Sequence, residues 1–353
     1  MPRKMNILMS KKLKIVIITG GIILILLVLG GIIVSNLLFG APQKQAEAER
    51  FVIPINASEQ SVIANLSEQG FIKNEWGFRY ALGGTKIKPG GYKIAKSMTA
   101  WEIAKILAQE SNLKWVVIPE GLRKEQIAEL IGKELSWSQE DKTKWITTSY
   151  TAMNYETLEG VYFPDTYLIP IDENPINVAA RLRAKFNEEF APYSNEALAQ
   201  NIKWDTLIKI ASIVQREAAG KGDMPLIAGI IWNRLLADKK LEIDATIQYI
   251  RDDVTHYGEA RYDKQPENYS SEGSWWTPIK PEDKQIESPY NTYRNKGLPP
   301  HPICNPGLDA IEAVLNPAET ECLYYLHDAN KQIHCAKTYE EHQENIKQFL
   351  RGE

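Results

Sequence analysis

Side chains that build metal and nucleophile sites are scarce in this 353-residue sequence. Three cysteines, Cys304, Cys322 and Cys335, are odd in number and widely spread, which excludes a disulfide framework and a zinc pattern. Cys322 and Cys335 fall on the two strands of a hairpin and could meet, but free, mostly buried thiols are expected. Five scattered histidines form no HExxH-like cluster. Without a Ser/His/Asp or metal constellation, a peptidase is disfavoured. No block of Lys and Arg follows the first 14 residues, and the net charge is −4, so nucleic acid is not an expected partner.

Charge is also missing between Lys14 and Lys44, where Ile15 to Phe39 is almost wholly Ile, Leu, Val and Gly. At about 1.5 Å of rise per helical residue, this run exceeds the roughly 30 Å hydrocarbon core of a bilayer. A cleaved signal peptide would have an apolar region of about 7–15 residues and a small-residue cleavage site. Ser35-Asn36-Leu37-Leu38-Phe39-Gly40-Ala41 is a poor one, so an uncleaved anchor is expected. Arg3, Lys4, Lys11, Lys12 and Lys14 precede the run. The positive-inside rule places residues 1–14 in the cytoplasm as a tail, 15–39 across the membrane, and the rest outside.

Residues 40–50 read as a polar linker. Then a pattern occurs twice. Phe51-Val52-Ile53-Pro54 leads into Ser58 to Leu66, and Val116-Val117-Ile118-Pro119 leads into Lys124 to Leu130, each with Ile-Ala-x-Leu on the helix. Each copy closes on an extended segment, Tyr92-Lys93-Ile94 and Tyr167-Leu168-Ile169. Two βααβ units are expected, within 51–110 and 111–172. Residues 173–353 read as one larger α+β domain. Its expected helices include Pro175 to Phe190, Trp204 to Ala219 stopped by Gly220, and one capped by Asp223 running to about Lys239. Gly258 to Gln285 reads as a loop. A hairpin turns at Asp328-Ala329-Asn330-Lys331, and a last helix covers Tyr339 to Leu350.

On the Trp204–Ala219 helix, Leu207, Ile210, Ala211 and Val214 form one buried stripe, and Glu217 continues it. Glu217 also lies in the last turn, where the helix dipole disfavours negative charge. Desolvation and dipole together predict a raised pKa, as a general acid near neutral pH needs. The alternative is an edge carboxylate that reaches water or pairs with Arg216 or Lys221. On the next helix, Arg234 extends the apolar face of Leu226, Ile227, Ile230 and Ile231. If buried it needs a carboxylate, and Asp244 is the expected candidate; otherwise Arg234 snorkels. The stretches Ser288 to Tyr293 and Gly297 to Gly307 are dense in Pro, Gly, Asn and Tyr. They suit either sugar binding or a complex turn.

These segments together resemble the endolytic murein transglycosylase, or YceG-like, family from about Phe51 to Leu350. The matching pieces are Leu158-Glu159-Gly160, Phe163-Pro164-Asp165-Thr166-Tyr167, Ala211-Ser212-Ile213-Val214-Gln215-Arg216-Glu217, Asn233-Arg234-Leu235, Asp244 to Tyr249, Ser288 to Tyr293, Gly297-Leu298-Pro299-Pro300 and Asn305-Pro306-Gly307-Leu308. The resemblance implies a single-pass bacterial cell-membrane protein, with a LysM-like subdomain and then a catalytic domain outside the cell, that cuts nascent peptidoglycan strands. It makes Glu217 the catalytic residue. Gln248, Asn291 and Tyr293 become candidate sugar contacts, with Asn233, Arg234 and Asp244 in the same substrate-binding set. It implies no cofactor and no metal, and makes peptidoglycan synthases candidate partners. Departures are Gln215 where many relatives carry a second Glu, Ala245 for a usual Pro, His301 for a small residue, and a long Arg251–Ile286 stretch.

Such an enzyme works with one carboxylate. Glu217 would protonate the oxygen between MurNAc and GlcNAc, then take the proton of the MurNAc C6 hydroxyl as it closes a 1,6-anhydro end. Two alternatives stay open. One is a two-carboxylate muramidase using Glu217 and Asp244. The other is a membrane-anchored, non-catalytic peptidoglycan-binding scaffold.

Overall fold

The structure, a computed structural model, describes residues 11–151, 159–258 and 269–351, with backbone alone at 11–18 and 147–151. Leu158, residues 1–10 of the expected cytoplasmic tail and residues 259–268 of the expected long loop lie outside them. The fold is mixed α+β. The chain divides into two compact units, Met1–Trp115 and Val116–Glu353.

The first unit opens with α1 (Lys11–Phe39), a long apolar helix. Within it Thr19–Phe39 has the length and composition to cross a bilayer, and its most apolar stretch is not buried by protein. Next come β1 (Ala48–Ile53), α2 (Glu59–Glu68), α3 (Glu75–Leu82), β2 (Gly90–Ala95) and α4 (Ala100–Leu107). Local chemistry sets these boundaries. The side chains of Ser58, Asn74 and Thr99 accept the first free N–H groups of α2, α3 and α4, satisfying donors that a helix cannot pair itself. Gly83 closes α3 at φ 60°, a left-handed position that costs glycine least. Strands β1 and β2 run antiparallel with Phe51 opposite Tyr92. Phe51, Ile63, Leu66, Phe71, Phe78, Ile94, Ile103 and Leu107 make the core.

The chain passes into the second unit within β3 (Leu113–Val117) and continues through α5 (Lys124–Leu135), α6 (Gln139–Thr151) and β4 (Thr166–Pro170). The order β-α-α-β therefore recurs. Ile118, Ile127 and Ile169 share one hydrophobic core with Val178 and Leu207 of the following domain, so a boundary at 172/173 does not separate two cores. Then come α7 (Pro175–Ala199), α8 (Trp204–Glu217), α9 (Met224–Leu236) and α10 (Asp244–Tyr257). The unit ends with α11 (Leu308–Leu315), the antiparallel hairpin β5 (Tyr324–His327) and β6 (Ile333–Ala336), and α12 (Tyr339–Asn345), prolonged by a π turn to Arg351. Helix α11 packs on α8 and α9, sealing the stripe of Leu207, Ile210, Ala211 and Val214.

Three expectations need correction. Asp223 occupies the N-cap position of α9, as expected, but its side chain makes no capping bond; the carboxylate meets His327 Nε2 at 3.2 Å instead. Cys322 and Cys335 are joined in a disulfide, leaving Cys304 as the free, buried thiol. Cys335 sits within the antiparallel register, opposite Tyr325, and Cys322 lies just before β5. Helix α10 lies where no helix was expected, because its buried face mixes Asp252, Asp253 and His256 with Tyr249, Ile250 and Tyr257 and so breaks the apolar stripe.

Both aspartates have cationic partners, Asp252 in Arg251 and Asp253 in Arg123. Arg123 is fully buried; its Nη2 donates to Asp253 Oδ1 at 2.5 Å, its Nε to Glu125 Oε2 at 3.4 Å, and its Nη1 to the Tyr249 carbonyl at 2.9 Å. The guanidinium also lies 3.9 Å from the Tyr249 ring centroid. Removing one partner of a buried ion network strands the others. Arg123→Met is expected to cost about 3–5 kcal/mol, read as a lower urea midpoint, and additional replacement of Glu125 and Asp253 by Leu to recover most of it.

Candidate active site

Glu217 is the last residue of α8, because Ala218 is already extended at φ −70° and ψ 135°. The helix thus ends before the Gly220 stop expected from sequence. Glu217 is partly buried, and both its oxygens are engaged. Oε2 accepts the Tyr325 hydroxyl at 2.7 Å, and Oε1 accepts the Ala245 N–H at 3.2 Å. Ala245 is the second residue of α10. The carboxyl therefore sits at the negative end of its own helix and the positive end of another, and the two dipoles oppose each other. Burial pushes its pKa above the usual carboxylate range, with Asp244 adding to the rise; Tyr325 and Ala245 pull the other way.

Glu217 opens onto a cavity of about 570 Å³, within the size range of small-ligand sites. Arg234, Asp244, Tyr293, Tyr324, Tyr325, His327, Tyr339 and His342 also line it. Asp244 is exposed, accepts the Tyr293 hydroxyl at 2.5 Å and lies 4.0 Å from Lys284 Nζ. Lys284 stands 4.1 Å from the Tyr293 ring centroid. Burial and Asp244 push the Tyr293 phenol up, as burial and Glu217 do for Tyr325.

Arg234 is buried against the cavity wall, and its carboxylate partner is Glu242 at 3.0 Å, not Asp244. Its other bonds go to the carbonyls of Leu323, Lys240 and Leu241. Asp244 instead points to Tyr293, because Glu242 lies nearer the end of α9. Asn233 Nδ2 donates to the carbonyls of Thr320 at 2.7 Å and Cys322 at 3.2 Å. Together Asn233 and Arg234 hold the approach to β5, and thereby the Tyr325 hydroxyl. Neither Asn233, Gln248 nor Asn291 lines the cavity. Asn291 is fully buried, its Nδ2 spent on the Lys284 and Ile286 carbonyls and its Oδ1 on the Tyr293 N–H. It holds the loop and offers no edge to a sugar. Gln248 Nε2 donates to the Trp276 and Thr277 carbonyls, pinning part of the long loop against α10. Thr292 Oγ1 accepts the Ile243 N–H at 3.0 Å and meets Thr246 Oγ1 at 2.9 Å. Thus the segment Ser288 to Tyr293 fixes the start of α10 and aims the Ala245 N–H.

The YceG-like family model matches residues 51–348. The chain belongs to the YceG-like family. Among curated proteins, it is 27% identical over 343 residues to an endolytic murein transglycosylase of Streptococcus pneumoniae serotype 2 strain D39, across 86% of this chain and 59% of that protein. The chain thus spans about 59% of that relative's length. It is also 27% identical over 324 residues to an endolytic murein transglycosylase of Bacillus subtilis strain 168, across 84% of each. A crystal structure of a YceG-like protein from Listeria monocytogenes superposes with a TM-score of 0.54 at 25% identity, covering 85% of this chain and 99% of that one.

Of the residues this YceG-like chain places around Glu217, sequence reasoning missed Tyr325, His327 and the Ala245 N–H. The period-2 spacing of Tyr325 and His327, which puts both on one face of β5, was the available signal. A backbone donor leaves none. Tyr325→Phe removes a donor that favours the carboxylate, so the Glu217 pKa is expected to rise further, at a stability cost of about 1 kcal/mol. Carboxyl NMR of labelled glutamate reads the shift directly. Because the folded pKa is raised, the Glu217 contribution to stability is complete below about pH 4.3 and is lost as pH rises through the raised value. Glu217→Gln is expected to abolish that pH dependence of the melting temperature.

Proposed function

We propose that the chain is a membrane-anchored peptidoglycan lytic transglycosylase that cuts inside glycan strands, with Glu217 as its single general acid and base. The observation that carries this reading is a carboxyl pushed toward its neutral form at the wall of a ligand-sized cavity. The names of the pneumococcal and Bacillus relatives support it.

Protonated Glu217 hands its proton to the oxygen between MurNAc and GlcNAc, and the bond from that oxygen to the MurNAc anomeric carbon breaks. GlcNAc leaves with a free hydroxyl. The carboxylate left behind is held by the Tyr325 hydroxyl and the Ala245 N–H, which strengthen toward a charged acceptor. It then takes the proton of the MurNAc C6 hydroxyl as that oxygen closes on the anomeric carbon, giving a 1,6-anhydro end. A nucleophile tethered to its own electrophile needs no positioned water and gains a large effective concentration. Tyr293 and Asp244, at the cavity wall, are the proposed sugar contacts.

The span Thr19–Phe39 supports a single-pass anchor. The basic residues before it support a cytoplasmic amino end. The Cys322–Cys335 disulfide supports an oxidising, extracytoplasmic setting for the cavity. The two βααβ stretches are proposed as LysM-like glycan-holding units, and synthases as the source of the nascent strands.

A two-carboxylate muramidase is the second reading, favoured by Asp244 opening onto the same cavity as Glu217. The products separate the two. Detergent-solubilised full chain acting on uncrosslinked glycan strands is expected to yield anhydro ends by mass spectrometry; reducing ends would replace this mechanism with hydrolysis. Glu217→Gln is expected to slow cleavage about 10²–10⁴-fold. Undiminished cleavage by that variant would remove Glu217 from the chemistry, and absence of cleavage by the unaltered chain would favour the scaffold.

A further inference from the structure

The first unit carries an exposed aromatic patch. Trp76 is 80% exposed, Tyr80 67% and Trp101 48%. Trp76 and Tyr80 lie one turn apart on α3 and so share a face. The Tyr80 and Trp101 ring centroids are 6.0 Å apart. No hydrogen bond within the protein occupies either indole N–H or the Tyr80 hydroxyl among the described residues.

The patch joins the end of the membrane span. Phe39, the last residue of α1, lies 5.9 Å from the Tyr80 ring and 5.4 Å from the Trp101 ring, centroid to centroid. Lys73 Nζ donates to Asn36 Oδ1 at 2.8 Å. A Cβ at Gly77 would run into the Leu38 carbonyl, so α3 rests directly on the last turn of α1. Two rings in contact with Phe39 stand at the depth where the apolar span ends.

We propose that Trp76, Tyr80 and Trp101 form a lipid-docking surface that seats the first unit on the bilayer where α1 emerges. Depth, chemistry and exposure agree on this partner. Tyr and Trp concentrate at the membrane–water boundary because an apolar body and a polar edge are both satisfied there. The patch holds both kinds of atom, and its N–H and O–H groups are open to headgroup and ester oxygens. The proposal rests on the reading of Thr19–Phe39 as a membrane span. It adds that the folded domain itself enters the interface, which shortens the anchor's effective tether.

The test uses tryptophan fluorescence of the full chain reconstituted into phosphatidylcholine/phosphatidylglycerol vesicles. The sequence has nine tryptophans and none in the span, so quenching by lipids brominated on the acyl carbons nearest the headgroup reports on tryptophans of the folded units that reach the bilayer boundary. The expected result is partial quenching by the brominated lipid, its loss in Trp76→Phe/Trp101→Phe, and poor access of aqueous iodide to the same two residues. Equal quenching in the double variant, or free iodide access to Trp76 and Trp101 in a chain that resists carbonate extraction, overturns the proposal and leaves the anchor standing. A chain stripped from the vesicles by carbonate overturns both.

Discussion

The candidate site of the second unit is built around a carboxyl suspended between two helix ends. Each terminus carries about half an elementary charge of opposite sign, so α8 and α10 nearly cancel at Glu217. What remains is desolvation, and desolvation wins. Tyr325 and Ala245 limit the rise without reversing it. A carboxyl so placed can give up a proton and tolerate the negative charge that follows, because donors already in position need not reorganise. An exposed carboxylate would be charged from the outset, and one buried without donors could not give its proton up.

Holding those donors takes most of the polar chemistry nearby. Ala245 is aimed by Thr292 and Thr246. Tyr325 is aimed by a hairpin that Asn233, Arg234 and a disulfide fasten from one side. Asn305 does the same farther off: its Nδ2 binds the Leu122 carbonyl and Glu159, and its Oδ1 accepts the Tyr162 N–H. The asparagines of the motif stretches are thus spent on backbone groups. Loops of irregular conformation leave N–H and carbonyl groups that no ladder pairs, and buried amides are the side chains able to meet both.

This explains what could be read from the chain and what could not. The stripe Leu207, Ile210, Ala211, Val214 announces a buried helix face, and Glu217 falls on it by periodicity alone. The apolar run ending at Phe39 and the hairpin at Asp328 are equally local signals. Helix α10 is not, because Asp253 looks like a solvent residue until Arg123, more than a hundred positions earlier, is placed against it, and Asp252 and His256 until residues 270–276 are. Spacing tells which face a side chain occupies. It does not tell which of two carboxylates, Asp244 or Glu242, will reach Arg234, because that choice depends on how the turn after α9 is wound. The same limit applies to Cys322 and Cys335, whose meeting depends on strand register.

The walls of the cavity are drawn from distant parts of the chain, from Glu217 at the end of α8 to Ile346 and Leu350 in the turns after α12. A polypeptide is made from its amino end. More than a hundred residues separate Glu217 from Ile346, so a growing chain holds the proposed acid long before it holds the last of these walls.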